Sequence, residues 1–306
     1  NVVVKQSPEW LQNKLKLVGL RPINNLVDIT NFVMFEFGVP VHVFDYDKFL
    51  NKNLEMKLSK GGEKFTSVDG KSYTLPAKTI IIEDKNRVID LCGIKGGQNT
   101  EITKDTKNIY IHLPIYTPSL IRRTSQKLDL RSDASYIYER GANQGGTLNS
   151  LARVVDLVKQ LAGGEIASEL IDIKDKDYKP WKLDLNLKRL EKILGTNIPT
   201  KKIIEILSSL NLSPQVKSDS ISCSIPTYRS DLKIEEDLIE EVARIYGYNN
   251  FPKTIPVGQL QTKSVPYYFD DTFHLFVKRL MVASGFSETM TLALISKEII
   301  TNSKQD

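Results

Sequence analysis

Cysteine is scarce in this chain. Cys92 and Cys223 are the only two in 306 residues, and they lie far apart. That excludes a disulfide framework and a thiolate metal knuckle. The three histidines, His42, His112 and His274, leave little room for a His-rich metal site. No apolar run approaches the roughly 18 residues that a membrane-crossing helix needs. Internal repeats and low-complexity tracts are missing, which excludes a solenoid. Charge of one sign is not dominant: 42 Lys and Arg against 37 Asp and Glu give a net +5. Such a balance permits nucleic-acid binding without demanding it. The chain opens on Asn1-Val2-Val3-Val4, without Met and without a signal-peptide pattern, and stops just after an apolar segment. Both ends read as cut, so a piece of a longer chain is expected, in a reducing, cytoplasmic setting.

What is present suits a folded protein of two or three domains: 41% hydrophobic and 26% charged residues. Ser7-Pro8-Glu9 reads as a helix start with a capping hydroxyl, continued by Trp10, Leu11, Leu15 and Val18 and stopped by Gly19. Asp28 is expected to cap a second helix ending at Gly38. From about residue 54 to 113 the period falls to two. Asp69-Gly70 and Asp84-Lys85-Asn86 mark turns, and strands are expected over 79–83, 87–92 and 108–113. Helical patterns return at Thr117-Pro118 and most strongly over 147–162, closed by Gly163-Gly164. Residues 174–179 read as a polar linker. Beyond them come two short helices around Gly195, a strand at Ile221–Ile225, a helix over 234–246 and another near 271–284. The order predicts an α+β fold.

Several stretches could carry chemistry. Polar residues crowd 21–45, from Arg21-Pro22-Ile23-Asn24-Asn25 to His42-Val43-Phe44-Asp45; on the residues alone, caps, turns and a satisfied core histidine are the favoured account of them. Gly93-Ile94-Lys95-Gly96-Gly97 lacks the full phosphate-loop pattern, but its glycines allow close backbone approach to a ligand. Over 216–242 seven acids face three bases. Asp237 and Glu241, four apart on one helical face, repel each other, and Glu240 adds to the crowding. Mg²⁺, a partner's arginines, or simply the helix dipole would relieve that, and the alternatives stay open. Over 178–206 seven bases face three acids, which fits either an RNA-binding surface or a solvated basic face.

Taken in order, Arg21-Pro22-Ile23-Asn24-Asn25, Asp28-Ile29-Thr30-Asn31, His42-Val43-Phe44-Asp45, Gly93–Gly97, Ile121-Arg122-Arg123-Thr124, Asp133-Ala134-Ser135 with Tyr138-Glu139-Arg140-Gly141, Pro226–Asp231 and Ile239–Tyr248 resemble the beta subunit of bacterial-type phenylalanyl-tRNA synthetase. The resemblance covers nearly the whole chain. It implies an editing domain over 1–175, a small winged-helix-like domain over 178–255, and the incomplete start of a catalytic-like domain over 256–306. It implies membership of a ligase that attaches phenylalanine to tRNA(Phe) using ATP, with the synthetic site in an alpha subunit and an alpha2-beta2 assembly. The editing pocket of the family, which hydrolyses misattached tyrosine, falls on Arg21, Thr30, Asn31, His42, Gly96, Ser132 and Ala134. Thr30, Asn31 and Ser132 are expected to fix the amino acid and the water, with His42 orienting or polarising. A Mg²⁺ site shared with the alpha subunit falls on Asp231, Asp237, Glu240 and Glu241. Two departures stand out. His112 replaces the family's glutamate that reads the tyrosine hydroxyl, and Ala142–Gly146 replaces its Val-Asp-Pro form. A neutral imidazole accepts that hydroxyl more weakly than a carboxylate does. The alternative is a structural, assembly and RNA-binding module with editing weakened or lost.

Overall fold

The computed structural model describes residues 1–51, 53–175, 177–255, 258 and 271–303, in two units, Asn1–Pro252 and Lys253–Asp306. The first unit begins with α1 (Glu9–Leu17) and α2 (Asn25–Phe37). The strands β1 (His42–Asp45), β2 (Leu54–Leu58), β3 (Lys64–Thr66), β4 (Ser72–Thr74), β5 (Ile80–Asp84), β6 (Arg87–Leu91), β7 (Lys95–Gly96) and β8 (Ile109–His112) follow. Then come α3 (Pro118–Leu128), α4 (Asp133–Tyr138) and α5 (Thr147–Leu161). The fold is α+β, as the order of patterns predicts.

β2, β5, β6 and β7 form one antiparallel sheet. Its β5–β6 turn puts Lys85 and Asn86 at φ 50° and 65°, the left-handed pair that a two-residue hairpin turn requires. β1 and β8 make a separate ladder in which His42 faces His112. Two apolar cores result. One gathers Phe44, Phe65, Ile81, Ile89 and Leu91 under α3 and α4, and the other packs α1, α2 and α5 through Leu11, Leu26, Val33 and Val154.

Two helix starts differ from expectation. Ser7 makes no cap; its hydroxyl donates instead to Asp28 Oδ2 at 2.5 Å. Asp28 lies inside α2, fully buried, and also accepts from Ile23 N. The cap of α2 is Asn24, which accepts from Leu26 N and Val27 N. Asp28 is therefore a latch between the chain start and α2, because a buried carboxylate needs donors more than a helix end needs a second cap. Asn25, also buried, donates to Val3 O and Leu161 O.

The second half of the unit has its own core. β9 (Trp181–Asn186) precedes α6 (Leu187–Leu194), α7 (Thr200–Ser209), β10 (Gln215–Val216), β11 (Ser220–Ile225) and α8 (Glu235–Tyr246). The sheet order is β10-β11-β9, antiparallel, over Leu185, Leu207, Ile221, Leu238 and Val242. It meets the first half at Gly145, where any Cβ would overlap Thr227. In the unit Lys253–Asp306, α9 (Asp271–Ala283) and α10 (Lys297–Asn302) have no buried residue among those described. The expected start of a catalytic-like domain falls partly outside the described residues, at 256, 257, 259–270 and 304–306. No helix among the described residues is long and apolar enough to cross a membrane.

Candidate functional site: a cavity around paired histidines

A cavity of about 430 Å³ opens between α2, the β1–β8 ladder, the Gly93–Gly96 turn and the start of α4. Thr30, Asn31, His42, Gly96, His112, Ser132 and Ala134 all line it. Arg21 does not; it is exposed on the connection between α1 and α2. These residues come from five stretches of sequence that reach one concave surface, of the size that takes a small ligand.

His42 lies flush against Gly96. A Cβ on Gly96 would stand 2.6 Å from His42 Cε1 and 2.9 Å from Nε2, so the absent side chain is the space the ring occupies. Phe44 meets the ring edge-on, centroids 4.4 Å apart. Burial, with the charge of cross-strand His112 adding to it, lowers the His42 pKa to about 4. Burial alone brings His112 to about 4. Both imidazoles are neutral at physiological pH. Each keeps one acceptor nitrogen and is too weak a base to hold a proton taken from water. His112 Nε2 lies 3.4 Å from the Tyr116 hydroxyl.

The remaining lining groups differ in what they have to offer. Thr30 donates its hydroxyl proton to Val27 O at 2.8 Å, leaving only acceptor capacity. The Asn31 side chain makes no hydrogen bond among the described residues, so its amide is free for a ligand. Ser132 is committed: it donates to Ile94 O at 2.8 Å and accepts from Ser135 N at 3.1 Å as the cap of α4. One lining group escaped the motifs altogether. Asp90 on β6 is buried, and burial raises its pKa to about 8, with the Cys92 thiol opposing. In the run Val88-Ile89-Asp90-Leu91-Cys92 it shares a strand face with apolar Val88 and Cys92, and the packing covers both faces.

The acidic cluster is organised differently. Arg229 pairs with Asp231 at 2.6 Å and with Glu241 at 3.2 Å, and Arg244 pairs with Glu241 at 2.7 Å. Asp237 is the N-terminal clasp of α8, accepting from Lys233 N at 2.6 Å and Ile234 N at 2.9 Å. Glu240 is exposed. No group of three or more His, Cys, Asp or Glu side chains among the described residues is placed to hold a metal ion. The four acids therefore do not fit a Mg²⁺ site within this chain. The repulsion that suggested one is relieved by the chain's own Arg229 and Arg244. Among the bases over 178–206, Lys179, Lys188, Arg189 and Lys202 are in ion pairs with acids, which leaves a thinner basic face than the count suggested.

Sequence families place these two halves in one class. Residues 1–163 match the B3/4 domain, and residues 183–248 match the tRNA synthetase B5 domain. The first match spans more than half of the chain, which belongs to the B3/4 domain family. Among individual proteins, the phenylalanine–tRNA ligase beta subunit of Carboxydothermus hydrogenoformans is 38% identical over 298 residues, covering 97% of this chain and 37% of that protein. The phenylalanine–tRNA ligase beta subunit of Protochlamydia amoebophila is 37% identical, covering 98% of this chain and 37% of that protein. The resemblance read from the motifs is borne out, and the chain spans a little over a third of the length of these relatives. A solved N-terminal fragment of the phenylalanyl-tRNA synthetase beta subunit from Pyrococcus horikoshii aligns with a TM-score of 0.40 at 15% identity, over 81% of this chain and 70% of that one.

Proposed function

We propose that this chain is a segment of a phenylalanine–tRNA ligase beta subunit and that its cavity hydrolyses tyrosine misattached to tRNA(Phe). The observation that carries the reading is the convergence of Thr30, Asn31, His42, Gly96, His112, Ser132 and Ala134 on one cavity. In the reaction a water oxygen bonds to the ester carbonyl carbon. The ester C–O bond breaks, and the water's proton passes to the departing ribose oxygen. His42, neutral, accepts a hydrogen bond from the water and orients it. Asn31 and the acceptor side of Thr30 hold the amino acid. Ser132 shapes the wall rather than meeting the ligand, since its hydroxyl already has two partners. Arg21, exposed outside the cavity, is left for the tRNA backbone.

In the whole enzyme the segment divides into an editing domain over 1–175, a winged-helix-like domain over 178–255 and the start of a catalytic-like domain from 256. Its partners are the alpha subunit, in an alpha2-beta2 assembly, and tRNA(Phe), in the cytoplasm. ATP and Mg²⁺ serve the synthetic reaction, not a site built by this chain alone. A second reading, an assembly module with weakened editing, draws on the replacement of an acid by neutral His112. Offering the chain tyrosyl-tRNA(Phe) and phenylalanyl-tRNA(Phe), and following release of each amino acid, separates the two. Selective release of tyrosine that His42→Ala abolishes supports editing; no release from either supports the assembly reading.

A further inference from the structure

The cavity holds a carboxyl group with almost nothing to bind. Asp90 is 4% exposed and lines the cavity. In the β6–β7 pairing it stands opposite Gly96, and cross-strand partners project on the same face. That face is where the His42 ring meets Gly96. Cys92, two residues on, supplies the carboxyl's only hydrogen bond among the described residues. A thiol is a weak donor. The better donors nearby are committed. Tyr138 donates to Pro40 O and Pro114 O at 3.1 and 2.9 Å. Tyr116 is shared between Cys92 and His112. His112, the position at which a hydroxyl reader is expected, already faces Tyr116 through Nε2.

A buried carboxyl in this setting is held protonated at neutral pH, so it offers one O–H donor and a free acceptor oxygen. A hydroxyl on the ligand answers both needs at once. An apolar ring end answers neither and leaves a buried polar group unpaired. We propose that Asp90, not His112, is the residue that selects a hydroxylated aromatic ring in this cavity, by exchanging hydrogen bonds with the ligand's phenol oxygen. The proposal rests on reading the cavity as an aminoacyl site.

The test uses hydrolysis-resistant amides of 3′-amino-3′-deoxyadenosine carrying tyrosine or phenylalanine. Their binding to the chain is measured by calorimetry for the unaltered protein, Asp90→Ala, Asp90→Asn and His112→Leu. The two probes share a ribose, so any contact to a sugar hydroxyl cancels in their ratio. The unaltered chain is expected to prefer the tyrosyl probe. Asp90→Ala should cut that preference about tenfold, the worth of one buried hydrogen bond, while affinity for the phenylalanyl probe stays or rises and so reports a folded cavity. Asp90→Asn, which keeps a donor and an acceptor, should retain part of the preference, and His112→Leu most of it. A preference that survives both Asp90 variants, or is lost with His112→Leu alone, overturns the role of Asp90. Binding of neither probe by the unaltered chain, or of both equally, overturns it as well, and binding of neither also removes the aminoacyl reading of the cavity.

Discussion

Gly96→Ala is the smallest change that should close the cavity. The new Cβ would stand 2.6 Å from His42 Cε1, well inside any real carbon contact. The backbone of Gly96 is not in the left-handed region, so the whole cost is steric. His42 cannot retreat toward Phe44, whose ring already meets it edge-on at 4.4 Å. The ring must swing into the cavity and fill it. Forcing a methyl into packed surroundings costs about 1–3 kcal/mol. For a domain of this size that is roughly 2–12 °C in Tm, readable by differential scanning calorimetry. Ligand affinity should fall with it. Gly97→Ala is the control: its Cβ would meet Ile89 O at 2.5 Å, a backbone atom that cannot turn away. It should destabilise more without pushing His42 into the cavity. If Gly96→Ala melts like the unaltered protein and binds the tyrosyl probe equally well, His42 is not held where the argument needs it.

Three further outcomes follow from the same structure. His42 and His112 have folded pKa values lowered to about 4, so the unfolded chain binds more protons between about pH 4 and 6.5 and stability should fall as pH drops through that window, by at most ~3 kcal/mol per ring. Asp90, raised to about 8, has the opposite sign, so urea midpoints should peak near pH 6.5 and the alkaline loss should vanish in Asp90→Asn. Arg229→Ala takes one of two arginine partners from buried Glu241 and the partner from exposed Asp231, and should cost about 1–2 kcal/mol, discounted for solvent access; an unchanged melt would make the network ornamental. Asp237→Ala removes the clasp of α8 and should cost about 1 kcal/mol whether or not Mg²⁺ is added, whereas a Mg²⁺-dependent loss would revive a metal role.

The alternation of Leu54, Met56 and Leu58 in β2, the polar turn between β5 and β6, the Asp69-Gly70 turn and the apolar stripe of α5 were legible because each is a local period or a local turn. Asp28 was misassigned because a sequence shows which residue can cap, not that Ser7 lies within reach of it across the fold. β9 went unread although Trp181, Leu183 and Leu185 alternate with Lys182, Asp184 and Asn186, because the run is short and sits beside a polar linker. The cavity residues were legible only through motif resemblance, since five separate stretches converge there and no local pattern records their meeting. Arg21 belonged to the motif yet stands outside the cavity. Asp90 was passed over for the reverse reason: it belongs to no motif, although apolar Val88 and Cys92 share its strand face and Ile89 and Leu91 the other.

The most direct test is the release of amino acid from two charged tRNAs side by side. Purified chain is mixed with tyrosyl-tRNA(Phe) or phenylalanyl-tRNA(Phe), and free amino acid is counted over time against a protein-free blank. The account predicts tyrosine release well above the blank, phenylalanine release near it, and loss of the difference in Gly96→Ala. Equal release of both amino acids by the unaltered chain, or tyrosine release that Gly96→Ala leaves untouched, would contradict it.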